Sequence, residues 1–248
     1  MEALGELRPI TLEELDERAA LLKRVDAKYL VARADLEALV RELASDHDVL
    51  EIGGRRSFAY RSVYFDTPGL RAFRDHVNGV RPRFKLRTRC YLDDGTCRFE
   101  IKLKTAGDET DKRQVEHPED EPERLTGEAV ALVAETLAEA GAEPAEDLRP
   151  VLSTEFDRFT LAAREGAGRI TVDTSLRLRR LPDGEARAMD RSLALVESKT
   201  PDGHGRADVL LLGAGLAPVS LSKYRTGIDL LVERDDSAET AAVRRAFG

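Results

Sequence analysis

The sequence predicts an α+β fold, in which a large antiparallel sheet of about eight strands closes into a barrel and helices surround it. Segments that alternate apolar and charged residues follow one another along the chain, separated by short polar turns. Segments with apolar residues at helical spacing lie between them. No stretch rich in Pro, Gly or Ser divides the chain, so we expect one domain over residues 1–248.

The first part of the chain predicts two helices separated by a short strand. Residues 11–14 have the form of a capping box and open a helix that continues to about Lys23. An extended segment is expected at 26–31, and a second helix from Asp35 to about Ser45. The apolar stripes of the two helices are Leu12, Leu15 and Leu22, and Leu36, Leu39, Val40 and Leu43.

The middle of the chain predicts a strand, a helix and a hairpin. Residues 57–66 are rich in aromatic and β-branched residues, which favours a strand, and a helix follows from Leu70 to Asn78. Residues 83–104 form two alternating strands around a turn at 93–95. A polar turn at 108–110, a short strand at 112–117 and a helix at 126–140, with Val130, Val133 and Leu137 as its apolar face, come next.

The second half repeats this pattern. Strands are expected at 152–164, 169–179 and 192–199, with turns at 166–168 and 182–184 between them. Helices are expected at 206–212 and 222–233, and the residues after Asp235 read as a loosely docked helical tail. Strict alternation in the strand 169–179 predicts one shared face for Arg169, Thr171, Asp173, Ser175, Arg177 and Arg179.

Cationic side chains recur on one face of several predicted strands. Lys85, Arg87 and Arg89 share a face of one hairpin strand, and Glu100 shares a face of the other with Lys102 and Lys104. On a single strand such a stripe is typical of the solvated side of a sheet. Because the pattern recurs in a chain of formal net charge −8, we favour a surface that binds an anion. Cations buried inside a barrel cost several kcal/mol each without a compensating anion, and polyphosphate has a matching charge density.

Several classes of site and partner are excluded or disfavoured. The chain has no P-loop, no G-x-G-x-x-G opening a helix and no H-E-x-x-H, and its four histidines lie far apart in sequence. The acidic balance argues against a nucleic-acid partner. No apolar run is long enough to span a membrane and the N-terminus does not resemble a signal peptide, so we expect a cytoplasmic protein. We expect Cys90 and Cys97 to be buried reduced thiols, with a cross-strand disulfide as the alternative.

An ordered series of short motifs resembles a known family. The motifs are DAKY (26–29), YRSVYFDT (60–67), KLRTR (85–89), EIKLK (100–104) and SLSKY (220–224). Together they resemble the VTC domain of polyphosphate polymerases, within the triphosphate tunnel metalloenzyme superfamily, over a core of about residues 24–234. The resemblance implies a barrel that forms a tunnel, with ATP phosphates and Mn²⁺ or Mg²⁺ inside and inorganic polyphosphate passing through.

The resemblance and the cationic stripe together predict the site residues. Those expected at the transfer point are Lys28, Arg87, Arg89 and Lys102. Those expected to bind phosphates elsewhere are Lys85, Lys104, Lys112, Arg158, Arg169, Lys199 and Lys223. Glu197 is the expected metal ligand, with help from Glu100 or Asp173. The chain has Ser220 where the family can carry another lysine, so one side of the site is expected to be less basic.

Three functions are compatible with these residues. The favoured one is a polymerase that moves the γ-phosphate of ATP onto a polyphosphate chain, because positioning and charge neutralisation are what phosphoryl transfer needs from a protein. The second is a hydrolase that uses water as acceptor and acts on tripolyphosphate or a nucleoside triphosphate. The third is a polyphosphate-binding module without turnover. The carboxylates favour the catalytic alternatives because they provide for a metal ion.

Overall fold

The computed structural model describes residues 1–18, 25–107, 109–182, 184–235 and 237–248. In this part of the chain, eleven strands form one sheet whose main path runs β2-β11-β9-β8-β4-β5-β6-β7. All neighbours on that path are antiparallel. The strands are β1 (Pro9–Ile10), β2 (Val25–Ala32), β3 (His47–Leu50), β4 (Phe58–Asp66), β5 (Arg83–Tyr91), β6 (Thr96–Lys104), β7 (Thr110–Glu116), β8 (Arg149–Ala163), β9 (Arg169–Arg180), β10 (Ala186–Ala188) and β11 (Leu193–Thr200).

Helices flank the sheet. They are α1 (Ala3–Glu6), α2 (Leu12–Arg18), α3 (Arg33–Leu43), α4 (Arg71–Val77), α5 (Gly127–Glu139), α6 (Arg206–Gly213), α7 (Lys223–Leu231) and α8 (Ala238–Arg245). The predicted capping box is confirmed, because Thr11 N donates to Glu14 Oε2 at 2.8 Å and Glu14 N donates to Thr11 Oγ1 at 3.2 Å. Of the helices described, none is long and apolar enough to cross a membrane.

Among the described residues, the two larger of three hydrophobic clusters contain most of the apolar side of the sheet. In one half, the apolar residues of β5 and β6, such as Leu86 and Ile101, join Phe73 of α4 and Val133 of α5 in one core. In the other half, the core brings together β2, β8, β9 and β11 with α1, α3 and α6, and it includes Leu36 of α3. Burial of these side chains is the main stabilising term, and it leaves the alternating charged side chains on the opposite side of the sheet.

The predicted closure into a barrel is not observed. Over the described ranges, β2 and β7 end the strand path and no ladder joins them. The backbone N of Val219, in the segment before α7, instead donates to Lys28 O of β2 at 2.7 Å and uses an acceptor on that strand. Ser222, three residues later, accepts a hydrogen bond from Lys85 of β5. The sheet is therefore curved enough for one short segment to bridge β2 and β5, but its two ends are not paired.

A bulge in β9 corrects the predicted alternation of that strand. The register with β8 shifts between Glu155 and Asp157, and Ser175 has a left-handed φ of 56°. One extra residue exchanges the faces of everything beyond it. Arg177 and Arg179 therefore lie on the opposite face from Asp173, whereas strict alternation predicts a shared face.

The cysteines form a disulfide, so the expectation of reduced thiols is wrong. The hairpin register places Cys90 directly opposite Cys97 with their Cα atoms 4.0 Å apart, and the sulfur atoms are bonded. Both side chains are buried, as predicted. The one-to-one register of β5 and β6 is the physical reason, because it brings the two side chains within bonding distance.

Helix ends and faces differ from prediction in a few places. Leu12 and Val130 lie on predicted apolar stripes but are about half exposed. The C-terminal residues are firmly docked, because Val243 and Phe247 are 1% and 4% exposed within the larger core. Strand β3 has no counterpart among the predicted strands, since its sequence, HDVL, mixes polar and apolar residues without alternation. Parts of the predicted elements and turns lie outside the described residues, namely residues 19–23, Asp108, Asp183 and Asp236.

Candidate functional site

The strand register places the predicted site residues on one side of the sheet, which we call the charged face. Cross-strand pairs on this face include Arg87 with Glu100, and Lys102 with both Lys85 and Lys112. On the other half of the sheet the pairs are Glu197 with Lys28 and with Thr171, Lys199 with Arg169, and Arg158 with Asp173. Lys104 follows Lys102 at the next position of that face and pairs with Arg83 and Thr110. Lys223 reaches the face from the start of α7.

Glu100 lies at the centre of a first cluster. Its carboxylate accepts from Arg87 Nε at 2.6 Å and from Lys112 Nζ at 2.8 Å, and Arg89 lies at 3.8 Å. Burial alone raises the pKa of Glu100, but Arg87, Arg89 and Lys112 outweigh it and hold the pKa well below its usual range. Glu100 is therefore ionised and acts as the counter-ion of three cations.

Asp173 organises a second cluster. Arg158 binds it with two hydrogen bonds, Nε to Oδ1 at 2.5 Å and a terminal nitrogen to Oδ2 at 2.8 Å. Lys223 donates to the same Oδ2. These cations overcome the effect of burial and lower the pKa of Asp173 to about 2. Beneath them lies Phe156, whose ring centre is 4.3 Å from Lys223 Nζ and 5.1 Å from the Arg158 guanidinium carbon.

Glu197 forms a third cluster with two lysines. Lys28 Nζ lies 3.6 Å from Glu197 Oε1, and Lys199 forms a salt bridge with Oε2. Thr171 Oγ1 is 3.5 Å from the same Oε2. Desolvation lowers the pKa of Lys199 to about 8, although Glu197 opposes the shift. Lys199 therefore loses part of its charge in the mildly alkaline range.

Lys85 is surrounded by other cations on the charged face. Its Nζ donates to Ser222 Oγ at 3.1 Å, and no salt bridge to it is present in the described chain. Desolvation and the neighbouring charges of Lys102, Lys28, Arg83 and Arg87 lower its pKa well below 10.5. An anion placed here would offset these unfavourable contributions by attracting the charged form of Lys85.

The three carboxylates differ in their fitness for a metal ion. Among the residues described, no group of three or more His, Cys, Asp or Glu side chains is arranged to hold one. Short charge-assisted bonds from arginines and lysines already engage the oxygens of Glu100 and Asp173. Glu197 Oε1 is more weakly held, by Lys28 at 3.6 Å. One carboxylate together with substrate phosphates is a usual set of Mg²⁺ ligands, so Glu197 fits this role and the other two do not.

Sequence reasoning missed the aromatic and hydroxyl side chains of β4. Register places Tyr60, Ser62 and Tyr64 on the charged face, and Arg87 donates to the Tyr64 hydroxyl at 3.4 Å. The available signal was that these three residues occupy every second position of the strand, as Arg87 and Arg89 do in theirs. The aromatic and β-branched residues of this segment predicted a strand but did not indicate which of its faces meets the charged residues.

A buried pair also anchors the segment that carries Lys223. Tyr224 donates to Asp66, and the same carboxylate accepts from the backbone N of Ala72 at 2.9 Å and of Phe73 at 3.1 Å. Tyr224 also stacks on Tyr64 with ring centres 5.3 Å apart. The start of α7 is therefore held between α4 and the sheet, which sets where Lys223 and Ser222 meet the charged face.

Comparison with known proteins places this geometry in context. A family model described as the VTC domain matches residues 23–232. No curated protein matches the chain. The solved structure of HpAC1 from Hippeastrum, described as a putative adenylyl cyclase with a dominant triphosphatase activity, is 14% identical, with a TM-score of 0.51, and the match covers 82% of this chain and 94% of that one.

Two archaeal structures are more distant. The PH1012 protein from Pyrococcus horikoshii OT3 is 11% identical with a TM-score of 0.39, over 77% of this chain and 87% of that one. A conserved hypothetical protein from Pyrococcus furiosus is 12% identical with a TM-score of 0.42, over 79% and 92%. At such identities, the similarity to the Hippeastrum protein concerns the fold: helices around a large antiparallel sheet.

Proposed function

Since the chain belongs to the VTC domain family, we propose that it binds the phosphates of ATP on the charged face and transfers the γ-phosphate to inorganic polyphosphate. The structural similarity to the Hippeastrum protein, which is described as having a dominant triphosphatase activity, agrees with a phosphate-handling role for this fold. Transfer breaks the bond between the γ-phosphorus and the bridging oxygen, which leaves with ADP. A terminal oxygen of the polyphosphate chain forms the new bond.

The observation that carries the proposal is the excess of cations crowded around the half-buried Lys85. Cations outnumber carboxylates on the charged face, and Lys85 is surrounded by Lys102, Lys28 and Arg87. Like charges held close together and partly shielded from water destabilise a fold unless something of opposite sign binds among them. A linear chain of phosphates has the length and charge density to reach several of these cations at once.

The cations have separate tasks in this proposal. Arg87 and Arg89 bind phosphate oxygens with their planar guanidinium groups, while Lys28 and Lys102 place point charges near the transferred phosphate. Charge developing on the equatorial oxygens in the transition state is stabilised by these fixed donors. Glu197 would hold a divalent ion such as Mn²⁺ or Mg²⁺, which neutralises phosphate charge when it is bound.

A triphosphatase is the second candidate, and the triphosphatase activity described for the Hippeastrum protein favours it. The same cations would bind tripolyphosphate or a nucleoside triphosphate, and water would replace polyphosphate as acceptor. A module that binds polyphosphate without turnover is the third. All three use the charged face, so they differ only in what reacts there. A cytoplasmic location remains part of the proposal.

Incubation with ATP and Mn²⁺, followed by phosphorus NMR and gel analysis, separates these candidates. Long-chain phosphate together with ADP supports the polymerase, whereas orthophosphate alone supports the hydrolase. Arg87→Ala should abolish phosphate binding, and Glu197→Gln should abolish metal-dependent turnover with a modest loss of affinity. Arg113→Ala is the matched control, because Arg113 pairs with Ile101 on the opposite face and forms salt bridges with Asp111 and Glu139. Unchanged affinity in Arg87→Ala would refute binding on the charged face.

A further inference from the structure

Three buried polar atoms lie side by side on the charged face without a hydrogen-bond partner in the described part of the chain. They are Thr154 Oγ1 on β8, Ser62 Oγ on β4 and Arg89 Nε on β5. Ser62 pairs directly with Thr154 on one side and with Arg89 on the other. Side chains at directly paired positions are about 5 Å apart at their Cβ atoms, so the three groups form one continuous row.

This row lies between pairs of larger side chains. On one side, Tyr60 and Phe156 are paired and their rings stack 5.2 Å apart. On the other side, Tyr64 is paired with Leu152. The two short hydroxyl side chains between these pairs are covered by their neighbours, since Ser62 and Thr154 are 1% and 0% exposed, and we call this position between the larger pairs the slot.

The slot has the donors of an anion site. A guanidinium nitrogen only donates, and each hydroxyl can donate, so one acceptor group can satisfy all three. Tyr64 lies beside the slot, and its hydroxyl accepts a hydrogen bond from Arg87 at 3.4 Å. Burial raises the pKa of its hydroxyl, but Arg87, Lys223 and Arg89 outweigh burial and lower it. The environment is therefore positive, and buried polar groups without partners are costly until such a group binds.

We propose that Thr154 Oγ1, Ser62 Oγ and Arg89 Nε form a subsite that binds one phosphate group of the phosphate-chain substrate. This subsite rests on the function proposed above and adds two hydroxyl side chains to its cations. The two hydroxyl oxygens of this subsite lie close to the backbone of the sheet, whereas the ends of the Arg and Lys side chains extend further from it.

The test combines tripolyphosphate binding, measured by calorimetry, with thermal unfolding of the ligand-free protein. Thr154→Val and Ser62→Ala should each weaken tripolyphosphate binding about tenfold, the effect of losing a hydrogen bond to a charged group. Neither should lower the melting temperature of the ligand-free protein, because each removes a buried hydroxyl that has no protein partner. A hydroxyl with a purely structural role would give the opposite change in stability.

Matched controls lie on the neighbouring positions of the same strands. Thr88→Val makes the same substitution on the other face of β5, where Thr88 Oγ1 donates to Pro122 O at 2.8 Å. It should lower the melting temperature and leave the affinity unchanged. Ser153→Ala, adjacent to Thr154 but paired with Val63, should leave the affinity unchanged as well.

The possible outcomes distinguish this inference from the proposed function. If the wild type binds tripolyphosphate and both slot variants bind it as well as the wild type does, the subsite is refuted and the function stands. A lower melting temperature in Thr154→Val, matching that of Thr88→Val, would show a protein partner for the hydroxyl and would also refute the subsite. If the wild type does not bind tripolyphosphate, the proposed function fails and the subsite fails with it. Should one slot variant not fold, the other decides.

Discussion

Glu100→Gln offers a sharp test of the charge balance on this face. The substitution keeps the shape of the side chain but removes the counter-ion of Arg87, Arg89 and Lys112. Glu100 is 3% exposed, so water cannot replace it fully. Removing one partner of a buried ion pair costs about 3–5 kcal/mol.

The expected loss of stability in Glu100→Gln lies at the lower end of that range. The Arg87 and Lys112 side chains are 24% and 47% exposed, so solvent screens part of their repulsion. A loss of about 3 kcal/mol corresponds to a fall in melting temperature of roughly 6–12 °C for a chain of this size. Phosphate oxygens would then take the place of the lost carboxylate. We therefore expect tripolyphosphate to raise the melting temperature of Glu100→Gln by more than it raises that of the wild type.

Differential scanning fluorimetry with and without tripolyphosphate measures both effects. Glu155→Gln is the control, because Glu155 is a half-exposed carboxylate that pairs with Arg177 on the face opposite Asp173. This substitution should change neither the melting temperature nor its rise with tripolyphosphate. A ligand-free Glu100→Gln as stable as the wild type would contradict the counter-ion role. Loss of metal-dependent binding alone would instead support the metal-ligand role that the sequence suggests.

Two further predictions concern pH and redox state. The pKa of Lys199 is about 8 in the folded protein, against an ordinary value of 10.5. Between these pH values the unfolded chain therefore binds more protons than the folded one. As a result, this group makes the ligand-free protein more stable as pH rises from 8 to 10.5. Tripolyphosphate binding should weaken over the same pH range, because Lys199 loses its charge. Calorimetry at pH 7, 8 and 9 should show that Lys199→Arg removes this pH dependence. The same pH profile in the wild type and the variant would contradict the prediction. The disulfide closes a loop with a sequence separation of 7, so reduction or Cys90→Ala with Cys97→Ala should cost roughly 2–3 kcal/mol. A wild-type melting temperature that does not respond to reductant would show that the thiols are reduced in solution.

Local patterns in the sequence predicted most of the elements. The strands with clean alternation, such as Arg83–Tyr91, and the helices with regular apolar spacing, such as Arg33–Leu43, lie close to their expected positions. Failures occur where the local signal is absent, as in His47–Leu50, or where docking depends on distant residues, as in the C-terminal helix. The residue Phe247, just beyond that helix, is buried in a core that includes Leu152, far away in sequence.

The candidate site also has features that the sequence predicts and features that only the tertiary structure determines. Alternation alone determined that Lys85, Arg87 and Arg89 share one face, because successive strand side chains point to opposite sides of a sheet. Only the tertiary structure decided that Ser62 lies between Thr154 and Arg89. Register between strands far apart in sequence brings these three together, and neither composition nor motif specifies it. The bulge at Ser175 and the unpaired ends of the sheet have the same origin, since a shift of one residue or one competing backbone bond depends on long-range packing that no local pattern contains.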